Sequence, residues 1–234
     1  SSYPTVLFNA MVKPWTAFPI KGVIWYQGEA NVGRSEQYED LFPALITDWR
    51  RQWRSDFPFY FVQLANFMES KEIQPDSEWA ALREAQTKAL KLDQVGMAVT
   101  IDIGLADDIH PKNKQEVGRR LALVALAGSY GKNVSSSAPV FQNYIIKGNK
   151  MELDFGQKQD GFQIKGTTLK GFTIAGPDRV FYPAEAMVHD GKIILSSTEV
   201  PAPLAARYGW ADNPDCNLYG ENGLPVAPFR TDCW

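Results

Sequence analysis

Histidine and cysteine are scarce in this chain, with two of each among 234 residues. Two cysteines are too few for a disulfide framework, and the absence of any Cys-x-x-Cys pair argues against a structural zinc site. No apolar run approaches the roughly 20 residues that a membrane-crossing helix needs. There is no Lys/Arg-rich run, and the net charge is −3, so neither nucleic acid nor an anionic membrane is an expected partner. A glycine-rich phosphate loop is missing, and Asp107-Asp108 has no third ligand at suggestive spacing, so neither a metal nor another cofactor is expected. An initiator Met and a signal peptide are missing too. The expectation is a chain that starts inside a longer polypeptide or after processing.

What is present is an ordinary globular composition, long enough for one large domain or a medium domain with an appendage. Its 7 Trp, 9 Tyr and 13 Phe fit a buried core together with a sugar-stacking surface, without separating the two. Cys216 and Cys233 sit near the C-terminus. A bridge between them would close a short tail loop, be worth about 3 kcal/mol and imply an oxidising compartment; two unpaired thiols are the alternative.

The first half alternates strand and helix signals. Gly22–Gln27, Phe59–Leu64 and Val95–Ile101 are short apolar, β-branched or aromatic runs that read as buried strands. Between and after them, Ser35 to about Arg54, Trp79 to about Leu92 and Asn113 to about Ala127 carry apolar residues at helical spacing. Pro43 complicates the early turns of the first helix, and Gly128 and Gly131 end the third. This alternation predicts an α/β domain over residues 1–133, a parallel sheet flanked by helices on both faces. Sites in such sheets lie at the carboxyl ends of strands, which directs attention to Gln27–Asn31 and Asp102–His110.

From about Val134 the period changes. Short alternating segments separated by Gly, Asp and Pro predict a β-rich C-terminal extension over residues 134–234. Strands are expected within Val140–Ile146, Met151–Phe155, Phe162–Ile164, Gly171–Ile174, Met187–His189 and Lys192–Ser196. Ala206–Trp234, dense in Gly, Pro, Asn and aromatics, reads as ordered loop.

His189 precedes an Asp190-Gly191 turn and reads as a surface strand residue. His110 lies in a polar loop between a strand and a helix, three residues after Asp107. A carboxylate so placed can accept the Nδ1 proton and leave Nε2 free as a general base; helix capping by Asp107 or Asp108 is the plainer alternative. In Gln27-Gly28-Glu29-Ala30-Asn31, a glycine N–H and an amide side chain could hold a developing oxyanion, or the segment could simply turn into the helix. No serine is convincing as a nucleophile. Ser129 ends a helix instead of following a strand, no strand precedes Ser1 and Ser2, and Ser35, Ser55, Ser70 and Ser77 sit in polar or turn settings.

Gly22 to Asn31 closely resembles the Trp-Tyr-Gln-Gly-Glu-Ser-Asn segment of sialate O-acetylesterases, in the SGNH (GDSL-like) hydrolase superfamily, with Ala30 where serine is common. Asp107-Asp108-Ile109-His110-Pro111 is similar to that superfamily's Asp-x-x-His block. Pro4–Met11, Arg207–Pro214, Gly223-Leu224-Pro225 and Pro228–Asp232 extend the resemblance over nearly the whole chain. It implies a three-layer fold and a carbohydrate O-acetyl esterase using a Ser-His-Asp mechanism on acetylated sialic acid. His110 would be the base and Asp107 its orienting partner. Gly28 and Asn31 would serve the oxyanion, with Gln27 and Glu29 shaping the pocket.

The family's Gly-Gln-Ser-Asn nucleophile segment does not occur here. The resemblance therefore implies a C-terminal part whose serine comes from an N-terminal segment or separate chain, in a secreted, periplasmic or lysosomal protein. An esterase for acetylated xylan or another polysaccharide, and a carbohydrate-binding fragment without catalysis, are the rival expectations.

Overall fold

The structure, a computed structural model, describes residue 3, residues 5–156 and residues 161–234. Ser1 and Ser2, rejected above as nucleophiles, and Pro4, the first residue of one family-like segment, lie outside the described residues.

Three parallel strands, β1 (Val23–Trp25), β2 (Phe59–Val62) and β3 (Val95–Ala98), form a sheet in that order. The helices α1 (Ser35–Trp53), α2 (Glu78–Lys88) and α3 (Lys114–Gly128) follow them in turn. The period-2 alternation of β2 divides the core. Phe59 and Phe61 meet Tyr38, Phe42 and Ile46 of α1 and Trp79, Leu82 and Ala85 of α2 on one face. Tyr60 and Val62 meet Val117, Leu121 and Val124 of α3 on the other. Each such side chain is worth about 1.5–3 kcal/mol when fully buried. The helices thus cover both faces of a small parallel sheet.

All three parallel strands end earlier than the sequence predicts, because Tyr26-Gln27, Gln63-Leu64 and Val99–Ile101 already belong to the segments that leave the sheet. The first helix runs through Pro43 without ending.

The remainder is antiparallel. Strands β4 (Asn143–Lys147), β5 (Lys150–Asp154), β10 (Lys192–Ser196) and β9 (Glu185–His189) make one sheet, ordered β4-β5-β10-β9. A second sheet, ordered β13-β11-β7-β8, joins Phe229–Arg230, Ala205–Tyr208, Phe172–Ala175 and Phe181–Pro183. β12 (Leu218–Gly220) pairs with β6 (Phe162–Ile164). Met151, Leu153, Ile193 and Leu195 from the first sheet share one core with Phe172, Ile174, Ala206 and Tyr208 from the second.

The tail is therefore not loop throughout, as read from its composition; β11, β12 and β13 lie within or across it. Nor do the cysteines pair. Both are free; Cys216 packs against the core of the β-rich part, and burial pushes its thiol up to about 12.

The two parts are tied tightly. Arg83 of α2, with 0% exposure, donates to the carbonyls of Leu64 and Ala65 past β2 and to those of Ala211 and Asp212 in the tail, at 2.7–3.0 Å. Arg230 forms a two-bonded ion pair with Glu84 at 2.8 and 3.0 Å. No helix is long and apolar enough to cross a membrane among the described residues.

Candidate active site

The chain leaves β1 at Tyr26 and makes a short 3-10 turn, Glu29–Asn31, before α1. Gln27 is held from three sides. Its Nε2 donates to Asn31 Oδ1 at 2.7 Å, its Oε1 accepts from the Tyr38 hydroxyl at 3.2 Å, and its carbonyl accepts from Gln86 Nε2 at 3.2 Å. The first of these bonds orients the Asn31 amide. Its Nδ2 group is left without a hydrogen-bond partner among the described residues, a donor available to a ligand. Gly28 is buried here, and a Cβ on it would meet Gln86 Nε2 at 2.9 Å and Leu64 Cδ2 at 3.2 Å. A side chain there would displace the Gln86 amide from its bond to the Gln27 carbonyl.

Glu29, in the same turn, supplies a negative charge. Burial first, and then that charge, push the Tyr26 hydroxyl up to about 12. Burial does the same to Tyr38. Both phenols stay protonated, and Tyr38 remains a donor to Gln27.

The second loop leaves β3. Asp102 accepts both guanidinium arms of Arg120 at 2.6 and 2.9 Å and the Tyr219 hydroxyl at 3.2 Å, so the loop's root is clamped between α3 and β12. Farther along, Ile109 packs against the same core as Val32 and Trp25, and Pro111 is buried. His110 itself is open, with its side chain 85% exposed. Asp108 Oδ1 accepts the His110 backbone N–H at 2.9 Å and stands 3.5 Å from Nδ1. That N–H bond, more than any other influence, holds the Asp108 carboxyl below its ordinary range. Asp107 is exposed, and no hydrogen bond or ion pair joins it to His110 among the described residues.

Both loops stand at carboxyl ends of strands in one parallel sheet, as the sequence pattern predicts. They meet through Lys114, at the start of α3, whose ammonium lies 4.6 Å from the Tyr26 ring centre. Gln27, Gly28, Glu29 and Asn31 thus form one turn, while Asp107 and His110 lie in the loop that leaves β3 at the same end of the sheet. His189 lies elsewhere, on exposed β9.

Sequence reading missed the residues that brace these loops. Asn66, just past β2, accepts the Gly104 N–H on Oδ1 at 2.6 Å, and its Nδ2 donates to Asn213 Oδ1 at 2.7 Å. A signal existed: Asn66 follows the middle strand at its carboxyl end, where only the outer two strands were searched. Among the described residues, no group of three or more His, Cys, Asp or Glu gathers as metal ligands would.

An α/β frame with such loops at one end of its sheet is met among ester hydrolases, and comparison with known proteins agrees on the class. Residues 2–127 match the family described as carbohydrate esterase, sialic acid-specific acetylesterase. The chain belongs to that family. It is 31% identical over 253 residues to the sialate O-acetylesterase of Mus musculus, covering 96% of this chain and 47% of that protein. It is 32% identical over 255 residues to that of Homo sapiens, covering 96% and 48%. A solved carbohydrate acetylesterase from Xanthomonas citri superposes with a TM-score of 0.92 at 46% identity, over 99% of this chain and 55% of that one. The chain thus spans about half the length of the relatives it matches.

Proposed function

We propose that this chain is the histidine-bearing part of a carbohydrate O-acetyl esterase with an SGNH-like, three-layer fold. It hydrolyses acetyl esters on sialic acid with a serine supplied from outside residues 1–234. The observation that carries the reading is the pairing of a partnerless amide donor, Asn31 Nδ2, with an open imidazole, His110, at the same end of one parallel sheet.

In this mechanism the serine hydroxyl attacks the acetyl carbonyl while His110 Nε2 takes its proton. The Gly28 N–H and Asn31 Nδ2 hold the oxyanion. Collapse breaks the C–O bond to the sugar, whose oxygen takes the proton back from His110. Water, deprotonated by the same imidazole, then releases acetate and restores the serine. Asp107 holds the imidazole by accepting from Nδ1, which requires the loop to move from the arrangement seen, where Asp108 is the carboxylate beside Nδ1. Glu29 and Gln27 shape the pocket.

The segment bringing the serine has a place to dock. β1 is an outer strand, and Ile24 on it is 69% exposed. Leu7, Met11, Trp15 and Phe18 in the preceding stretch are also exposed, each at 60% or more. An added parallel strand beside β1 would satisfy that edge and end next to Gly28. The family likeness alone supports a secreted, periplasmic or lysosomal location.

A fluorescent serine-reactive phosphonate, followed by a denaturing gel and peptide mapping, tests the split site. Label outside residues 1–234 supports it, and label on a serine within them overturns it. In the complete esterase, His110→Ala should lower turnover by roughly three orders of magnitude, and near-normal turnover would end the assignment. Asp107→Asn should lower turnover far more than Asp108→Asn. Because the Xanthomonas relative is described only as a carbohydrate acetylesterase, rates on acetylated sialic acid should be compared with rates on acetylated xylo-oligosaccharides to identify the sugar.

A further inference from the structure

We propose that Asn66 and Asn213 are positioning residues for His110, so that the C-terminal tail sets the geometry of the catalytic loop. The inference rests on the esterase reading above. His110 is exposed and the nearest carboxylate lies 3.5 Å from its Nδ1, so the imidazole's place depends on what holds the loop beneath it.

Four hydrogen bonds close a ring there. Gly104 N–H donates to Asn66 Oδ1 at 2.6 Å. Asn66 Nδ2 donates to Asn213 Oδ1 at 2.7 Å. Asn213 Nδ2 donates to the Met68 carbonyl at 2.7 Å. Met68 N–H donates to the Ala106 carbonyl at 3.1 Å. Inside the ring, Phe67 and Leu105 form a parallel bridge. Each asparagine thus uses both ends of its amide, and the loop is gripped at Gly104 and Ala106, on the approach to Asp107.

The fit is close and the anchor is stiff. A Cβ on Gly104 would lie 1.8 Å from the Asn66 carbonyl oxygen, so the two segments touch backbone to backbone. Asn213 cannot swing away, because the preceding Asp212 is fixed through its carboxylate by Ser77 at 2.6 Å and Gln74 at 2.5 Å. Its carbonyl also accepts from Arg83 at 2.8 Å and from the Phe67 N–H at 3.2 Å. A displacement of about 1 Å in a catalytic group lowers the rate on the order of a hundredfold, so releasing this ring reaches the chemistry without touching substrate.

The test uses the complete esterase carrying Asn66→Ala, Asn213→Ala or both. Each single variant should lower kcat between about tenfold and a hundredfold with KM within about twofold. The double variant should be no slower than the worse single, because either change opens the same ring. A loss confined to kcat, with KM and Tm held, is a response that a purely structural role would not produce. Should Asn66→Ala fail to fold, Asn66→Asp keeps the acceptor for Gly104 and loses only the donor to Asn213. Unchanged kcat, losses that multiply in the double variant, or a change confined to KM would overturn the proposal. His110→Ala measured alongside separates the two claims: its retention of activity sinks the esterase reading, whereas its loss beside intact asparagine variants sinks only the positioning role.

Discussion

The Arg83 guanidinium, with no exposure to solvent, is satisfied by four carbonyl oxygens, and no carboxylate pairs with it among the described residues. Burial pulls its pKa down to about 9, the mark of a cation held by dipoles in an apolar surrounding. Planarity matters here, since the acceptors come from two separate segments and only a fork can reach both. Arg83→Lys keeps the charge and loses the fork. It should lower unfolding free energy by about 3 kcal/mol, from buried acceptors left unpaired, measured by urea denaturation of the complete protein. At this scale the sequence was silent. Arg83 sits in a helix between Leu82 and Glu84 with nothing to mark it as buried, because two of its four carbonyl partners lie more than 120 residues away. By contrast the place of His110, one of two histidines, in a strand-to-helix loop was legible, since the strand before it and the helix after it both carry clear patterns. For Cys216 and Cys233 the sequence left bridge and free thiols open, because 17 residues of separation say nothing of direction; the two face the core and the solvent respectively.

Among the elements, α3 carries its own acid-sensitive clamp. Glu116, in its first turn, accepts from Arg119 at 2.7 and 2.8 Å and from Arg120 at 2.8 Å. Arg119 foremost, then Arg120, hold its carboxyl down to about 2 from an ordinary 4.5. A carboxylate with a depressed folded-state pKa adds stability that is present above its unfolded value and is lost as pH falls. The window therefore runs from pH 4.5 down to about 2. Glu116→Gln should flatten the fall of Tm across that window relative to the parent, as followed by circular dichroism. The helices and the three parallel strands were readable because their apolar residues repeat at 3.6 or form short β-branched runs. The tail strands were not. Ala205–Tyr208 is buried on both faces, so no alternation shows, and β12 and β13 span only 3 and 2 residues, too short to carry a period.

At the scale of the whole molecule, apolar side chains lie exposed on and before the outer strand β1. Ile24, at 69% exposure on an outer strand with one open edge, and the apolar stretch before it would be covered by the serine-bearing segment proposed above. Residues 1–234 produced alone should self-associate through that edge, and Ile24→Lys should make them monodisperse on light-scattering chromatography, since a charge on an open strand opposes pairing. In the complete esterase the same change should lower activity, because it would bury an unpaired lysine. A chain that remains monomeric with Ile24 intact would count against an exposed docking edge.

The bond between Asn66 and Asn213 joins residues 147 positions apart. On a ribosome adding 5–20 residues per second, the tail partner follows Asn66 by roughly 7–30 s. For the last 103 residues of that interval, those that follow His110, the nascent chain carries its histidine loop, yet the loop lacks its final brace. The asparagine ring would then act as a timer: messages cut short between residues 110 and 213 would yield fragments in which His110 is present but not aimed.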